Sequence, residues 1–311
     1  MKLTKKQEIV HVLMLVLTAL LWGSTFAAQS IGAEKIGAFG YVAAKSWIAV
    51  ILLLPTAVIL GKMKERSTGL TVNPRSRKDI KIMAAGGILC GLFLFSASCA
   101  QQAGIAYTTT AKSGFITTMY IVIVPVVLTV KNRVFQWKIW VCVAIAVIGL
   151  YLLSFSGVEN INAGDTLTLL CAVLFSCQII MIDRFVDKVD PIWLSFFQFA
   201  TTAVLATICS FIFEINTWNM LIDAAPAILF AGVFSCFVAH TLQIVAQKGM
   251  NPTVASLVMS LESVFGALSG WVVLGQTLTI KEFVGCVFMF AAIVLSQIPL
   301  PEKKRKEEVV Q

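Results

Sequence analysis

Three ionisable side chains sit where an apolar sequence has least reason to put them. Glu262 lies about ten residues from either end of the apolar run 252–274, in Ser260-Leu261-Glu262-Ser263. A carboxyl at mid-depth in a membrane helix can bind an amine or exchange a proton; equally, it can serve as a structural acceptor between helices. Lys45 stands about seven residues inside the run 38–60. Its stem is long enough to carry the ammonium to the nearer surface or to a partner, and the alternative is direct contact with a substrate. His240, Gln243 and Gln247 follow at helical spacing, which puts all three on one face. That face can line a polar cavity or be satisfied inside a core. Trp22 and Tyr120 can wall a cavity by stacking or simply pack.

Softer polar signals lie nearby. Gln101, Gln102, Thr108, Thr109 and Thr110 cluster between two apolar runs, and Ser96, Ser98, Thr117, Thr118 and Tyr120 carry the polarity into them. Some of these can hydrogen-bond a ligand. Gly87-x-x-x-Gly91 and Gly266-x-x-x-Gly270 read as close helix packing, and Pro55 and Pro125 as hinges or local openings. Motifs of hydrolases, metalloproteases and P-loop proteins are missing, so no cofactor is expected and no ATP-driven chemistry. The eight cysteines all fall in apolar stretches without metal-ligand spacing and read as packing residues.

The elements that must position these groups are membrane helices. The 311 residues are 58% hydrophobic and 13% charged, against roughly 45–50% and 25% in soluble domains. Runs near 20 apolar residues match the thickness of a bilayer, and they do not alternate as barrel strands do. Spans are predicted at 9–29, 38–60, 80–102, 113–130, 137–155, 164–183, 191–213, 223–247, 252–274 and 279–298. The basic start followed by an apolar run resembles a signal peptide, but the run is too long for one and reads as an uncleaved first span. With ten spans and both termini cytoplasmic, Lys2, Lys5, Lys6, the 62–81 cluster, Lys131, Arg133, Lys138, Arg184, Lys188, Lys248 and the Lys303–Lys306 tail share the cytoplasmic side. Lys35, Lys45, Lys112 and Lys281 remain outside that set. The net charge of +8 is thereby a matter of topology, and no nucleic-acid partner is expected.

Two echoes suggest duplication with inversion, which an odd number of spans per half provides. Ala19-Leu20-Leu21-Trp22-Gly23-Ser24 answers Ala172-Val173-Leu174-Phe175-Ser176-Cys177, and the turn 131–134 answers 275–278 between similarly spaced runs. The expected units are 1–155 and 156–298, each of five helices, with a basic cytoplasmic tail at 299–311.

On these residues the chain resembles the drug/metabolite transporter superfamily, specifically its EamA-like ten-helix members. Leu21-Trp22-Gly23-Ser24-Thr25-Phe26 looks like the family's opening motif, and Leu257 to Gly275 like its second-half signature. Departures are Ser263 where the family usually has proline, Gly275-Gln276 in place of glycine-glutamate, and Lys45 near a usual arginine. The resemblance implies an all-α membrane protein made of two inverted five-helix repeats. Its central cavity would be lined by the first four helices of each half, with the fifth and tenth as buttresses. Such members export amino acids, metabolites or toxic analogues, or import nutrients. The candidate cavity residues are Trp22, Ser24, Lys45, Gln101, Thr118, Tyr120, His240, Gln243 and Glu262, with Glu262 the candidate for proton coupling. The expectation is a secondary carrier of small metabolites in a bacterial-type cytoplasmic membrane, a monomer or weak homodimer whose partners are its substrate and the lipid bilayer. A membrane-embedded enzyme acting on lipid and a non-transporting receptor or scaffold are the competing readings.

Overall fold

The structure, a computed structural model, describes residues 4–68, 77–108, 110–133, 135–154, 162–274 and 279–298. Thr109, the middle of the 61–78 connector, the junction between the two expected repeats, the turn 275–278 and the tail 299–311 lie outside the described residues. Among the described residues there is no strand. The helices are α1 (Lys5–Lys35), α2 (Ala38–Thr68), α3 (Arg77–Ile105), α4 in two pieces (Thr110–Thr117 and Tyr120–Asn132) and α5 (Trp137–Ser154). They continue with α6 (Ala163–Val186), α7 (Pro191–Phe213), α8 (Trp218–Gln247), α9 in two pieces (Pro252–Met259 and Glu262–Leu274) and α10 (Ile280–Gln297). Among the described residues eight segments are long and apolar enough to cross a membrane by length and composition, and Trp137–Leu152 is a shorter apolar helix.

Local sequence sets the helix starts. Thr4 with Gln7, Asn162 with Asp165 and Thr279 with Glu282 form capping boxes, answering backbone N–H groups that have no intrahelical partner. Asp190 and Asn251 cap α7 and α9, each followed by a proline at the first helical position. Packing then pairs α2 with α7, α3 with α6 and α7, α5 with α10, and α1 with α8 and α9. Gly87 and Gly91 let α3 approach α7 closely: a Cβ on Gly91 would sit 2.7 Å from Gln198 O. At the other glycine pair Gly266 makes only ordinary contacts, and the close approach comes from Gly23 of α1, whose Cβ would lie 2.7 Å from Gly266 N.

Three helices depart from the regular spans expected of them. α4 breaks at Thr118–Met119 and α9 at Ser260–Leu261, although neither place has a proline or glycine. Ser263 stands where a proline would have kinked α9, and the helix breaks beside it all the same. Side-chain hydroxyls take over there: Thr118 Oγ1 donates to Gly114 O or Phe115 O at 2.9 Å, and Ser260 Oγ donates to Leu257 O at 2.7 Å. In α8 the stretch Ala231–Ala239 is π-helical, five residues beyond Pro226. α2, by contrast, runs unbroken through Pro55.

The basic residues outside the cytoplasmic set each find a local answer. Lys35 Nζ donates to Asp223 O at 2.9 Å, and Lys112 pairs with Asp165 at 2.8 Å. The ammonium groups of Lys45 and Lys281 lie over the rings of Tyr41 and Tyr151. The cysteines are all free thiols, mostly buried.

Candidate functional site

The polar positions converge because each helix repeats them at its own period. On α1, Trp22, Thr25, Phe26 and Gln29 occupy one face at steps of three, four and seven; Ser98 and Gln101 do so on α3, and Phe175, Gln178 and Ile179 on α6. With Lys45 of α2, Thr117 and Tyr120 flanking the break in α4, Ser235, His240 and Gln243 of α8, and Glu262 of α9, they enclose a cavity of about 500 Å³ including its mouth. Backbone contact fixes one wall. A Cβ on Gly23 would lie 2.6 Å from Glu262 O, so α1 crosses α9 nearly backbone to backbone and holds Trp22 and Glu262 in the same wall.

Glu262 is 4% exposed and begins the second piece of α9. Its Oε1 accepts a hydrogen bond from Tyr120 Oη at 3.0 Å, while Thr118 Oγ1 and Ser263 Oγ meet at 3.1 Å. Two side-chain links therefore lace α4 to α9 at their breaks. Lys45, 6% exposed, lines the cavity with its ammonium 5.4 Å from the Tyr41 ring centroid. Among the described residues neither Lys45 nor Glu262 makes an ion pair.

His240 is held between two incompatible partners. Its Nδ1 lies 3.2 Å from the Trp22 Nε1–H donor and 2.9 Å from the Ser235 carbonyl oxygen. A neutral imidazole with its proton on Nε2 accepts from Trp22; with the proton on Nδ1 it donates to Ser235. The carbonyl at Ser235 belongs to the π-helical stretch and already accepts the backbone N–H of His240. A carboxamide chain extends from this side: Gln243 Nε2 donates to Gln178 Oε1 at 3.4 Å, and Gln178 Nε2 to Gln198 Oε1 at 3.1 Å. Gln29 Oε1, His240 Nε2 and Gln243 Oε1, all on cavity-lining residues, are buried without a protein partner. Orphaned groups of this kind suit a polar ligand or water.

The site is closed on one side by grease. Leu15, Ile121, Val124, Leu257, Val258 and Met259, each no more than 2% exposed, pack as one cluster toward the end of the bundle that holds the N-terminus of α1. Of the candidates, Trp22, Lys45, Gln101, Tyr120, His240, Gln243 and Glu262 line this one cavity. Two candidates do not line the cavity. Ser24 donates to its own helix at Leu21 O, and Thr118 is spent on the α4–α9 joint. Gln247 likewise turns away, to Ile179 O. Gln29, Gln178 and Ser235 were not singled out from sequence, though glutamine inside an apolar run is itself a signal. Among the described residues no group of His, Cys, Asp and Glu could hold a metal.

The sequence profile of the EamA-like transporter family matches this chain twice, over residues 9–155 and 162–297. A protein of Archaeoglobus fulgidus named an uncharacterized transporter is 31% identical over 286 residues, covering 90% of this chain and 83% of its own length. A protein of known crystal structure aligns with a TM-score of 0.74 at 16% identity, covering 93% of this chain and 98% of that one; this likeness concerns the fold alone.

Proposed function

The chain belongs to the EamA-like transporter family and is a multi-pass membrane transporter; from that premise we propose that it is a secondary carrier of small metabolites bearing both an amine and a carboxylate, amino acids or close relatives. The observation that carries this reading is the presence of a buried ammonium, Lys45, and a buried carboxyl, Glu262, in the same cavity, neither with an ion-pair partner among the described residues. A dipolar substrate answers both charges at once, its carboxylate toward Lys45 and its ammonium toward Glu262, and so relieves two desolvation penalties. The orphaned Gln29, His240 and Gln243 atoms supply further polar contacts, and Trp22, Phe26, Tyr120 and Phe175 an aromatic wall. Glu262 is the proton-coupling residue in this scheme.

Alternating access fits a cavity sealed on one side by the Leu15–Met259 cluster. We read the chain as ten spans in two inverted five-helix repeats, 1–155 and 156–298, with both termini and the 299–311 tail cytoplasmic. Advancing every helix label by five turns the α1–α9 contact into α6–α4 and the α3–α6 contact into α8–α1, and each is present. The broken α4 and α9 correspond in the same way. With that orientation the sealed side is cytoplasmic, which is one of the two states that alternating access requires; the proposed carrier exports its substrate across a bacterial-type cytoplasmic membrane as a monomer or weak homodimer.

Thermal stability of the purified protein should rise with an amino acid present, by about 2.7 kcal/mol at a hundredfold excess over its Kd, and much less with its decarboxylated or deaminated analogue. The same compound should then show counterflow in liposomes. Lipid turnover without flux would favour the enzyme reading; binding with neither would favour a receptor.

A further inference from the structure

A second cavity lies at the end of the bundle that holds the N-terminus of α1, away from the central site. It measures about 660 Å³ with its open mouth included, and is bounded by His11 of α1, Leu60 and Lys64 of α2, Asp190 and Ile192 at the start of α7, and Lys248 just beyond α8. Its charges do not cancel. Asp190 is already committed, with Oδ1 accepting from Ile192 N at 3.0 Å and Oδ2 lying 3.4 Å from Lys64 Nζ. Lys248 has no side-chain hydrogen bond or ion pair among the described residues, and His11 Nδ1 is buried without a partner. A cation and an unused imidazole nitrogen are left over.

We propose that this crevice binds the phosphate of an anionic phospholipid. Lys248 supplies the charge, His11 a hydrogen bond, and Lys64, half exposed at the rim, a second cation. The apolar walls decide between a lipid and a free anion. Leu60 lines the crevice and is 42% exposed, continuous with the exposed Ile59 and Met63, so the crevice opens onto surface suited to an acyl chain. Inorganic phosphate would leave that wall unused. The bound lipid would clasp α1 and α8, which carry Trp22 and His240, against α2 and α7.

Native mass spectrometry of the full chain, delipidated in neutral detergent and offered phosphatidylglycerol and phosphatidylcholine in equal amounts, tests the assignment. Phosphatidylglycerol should be retained in about fivefold preference, Lys248→Gln should abolish most of that preference, and Lys248→Arg should keep it. Thermal unfolding in phosphatidylcholine should be the same for both variants and the parent, which separates loss of the site from loss of the fold. Equal retention of the two lipids, or a Lys248→Gln variant that still prefers phosphatidylglycerol, would overturn the proposal. Displacement of the lipid by millimolar inorganic phosphate would overturn it too, marking a site for free anions.

Discussion

The α4–α9 and α5–α10 pairs draw on similarly apolar sequence and meet in opposite ways. α5 and α10 are continuous, and a Cβ on Gly149 would lie 2.8 Å from Gly285 O, so the two backbones touch. Cys142, Ala146, Leu150, Met289 and Ala292 are buried between and around them, and the Lys138 ammonium donates to the carbonyls of Ser296 and Ile298 at the end of α10. Neither helix contributes to the central cavity. α4 and α9 are both interrupted, face each other through hydroxyls and a carboxyl, and supply Thr117, Tyr120 and Glu262 to it. In a bilayer a regular helix satisfies its own backbone, so an interruption is tolerated only where side chains or neighbours take over. The first pair has the marks of a fixed strut, the second those of a working part.

If that contrast is right, the largest effect belongs to Glu262. Glu262→Gln keeps an acceptor for Tyr120 and should fold, yet lose pH-driven transport and on the order of a hundredfold in affinity for an amine-bearing substrate. Unchanged pH dependence in liposome flux would remove Glu262 from coupling. A glutamine variant that behaves like the parent while Glu262→Ala fails to fold would leave it a structural carboxyl.

A paired comparison sharpens the division. Gly149→Val overpacks the α5–α10 contact and should lower stability by roughly 1–3 kcal/mol, with flux per folded molecule unchanged. Thr118→Val deletes one hydroxyl at the α4–α9 joint and should lower stability by only about 0.6 kcal/mol, with a clear change in flux. Thermal unfolding beside counterflow rates reads both, and the reverse pattern would dissolve the distinction between strut and working part.

The smallest effect is the most local. Trp22→Phe removes the indole donor, so His240 should carry its proton on Nδ1 and give it to Ser235. With two histidines in the chain, nitrogen-15 histidine spectra resolve the change directly. Identical ring-nitrogen shifts in parent and variant would mean that Trp22 does not set the tautomer.

Most of the cavity was legible because ionisable and amide groups in apolar runs are few, and helical spacing says which share a face. Lys45, His240, Gln243 and Glu262 were visible for that reason. Gln178 was within reach of the same rule, one residue beyond the Ala172–Cys177 echo. The breaks were not visible. No proline or glycine announces Thr118–Met119 or Ser260–Leu261, and the hydroxyl pair that spans them joins residues 145 apart in sequence. The π-helical stretch of α8 left no local mark either; Pro226 lies a full turn before it. Ser24 entered with the Leu21–Phe26 motif, and the motif does not say that a serine in a helix can return its hydroxyl to its own backbone, as it does here at Leu21 O.

The joint between the broken helices has a property of its own. Two hydroxyl protons, on Thr118 and Ser263, face a choice of acceptors at Gly114 O, Phe115 O and one another's oxygens, all within 2.9–3.2 Å. Several assignments of those protons satisfy the same groups about equally well. If α4 slides along α9, one hydrogen bond can be handed on as another forms, with little net change in enthalpy. Such a contact behaves less like a rivet than like a bearing: it resists separation of the two helices while offering little friction along their length.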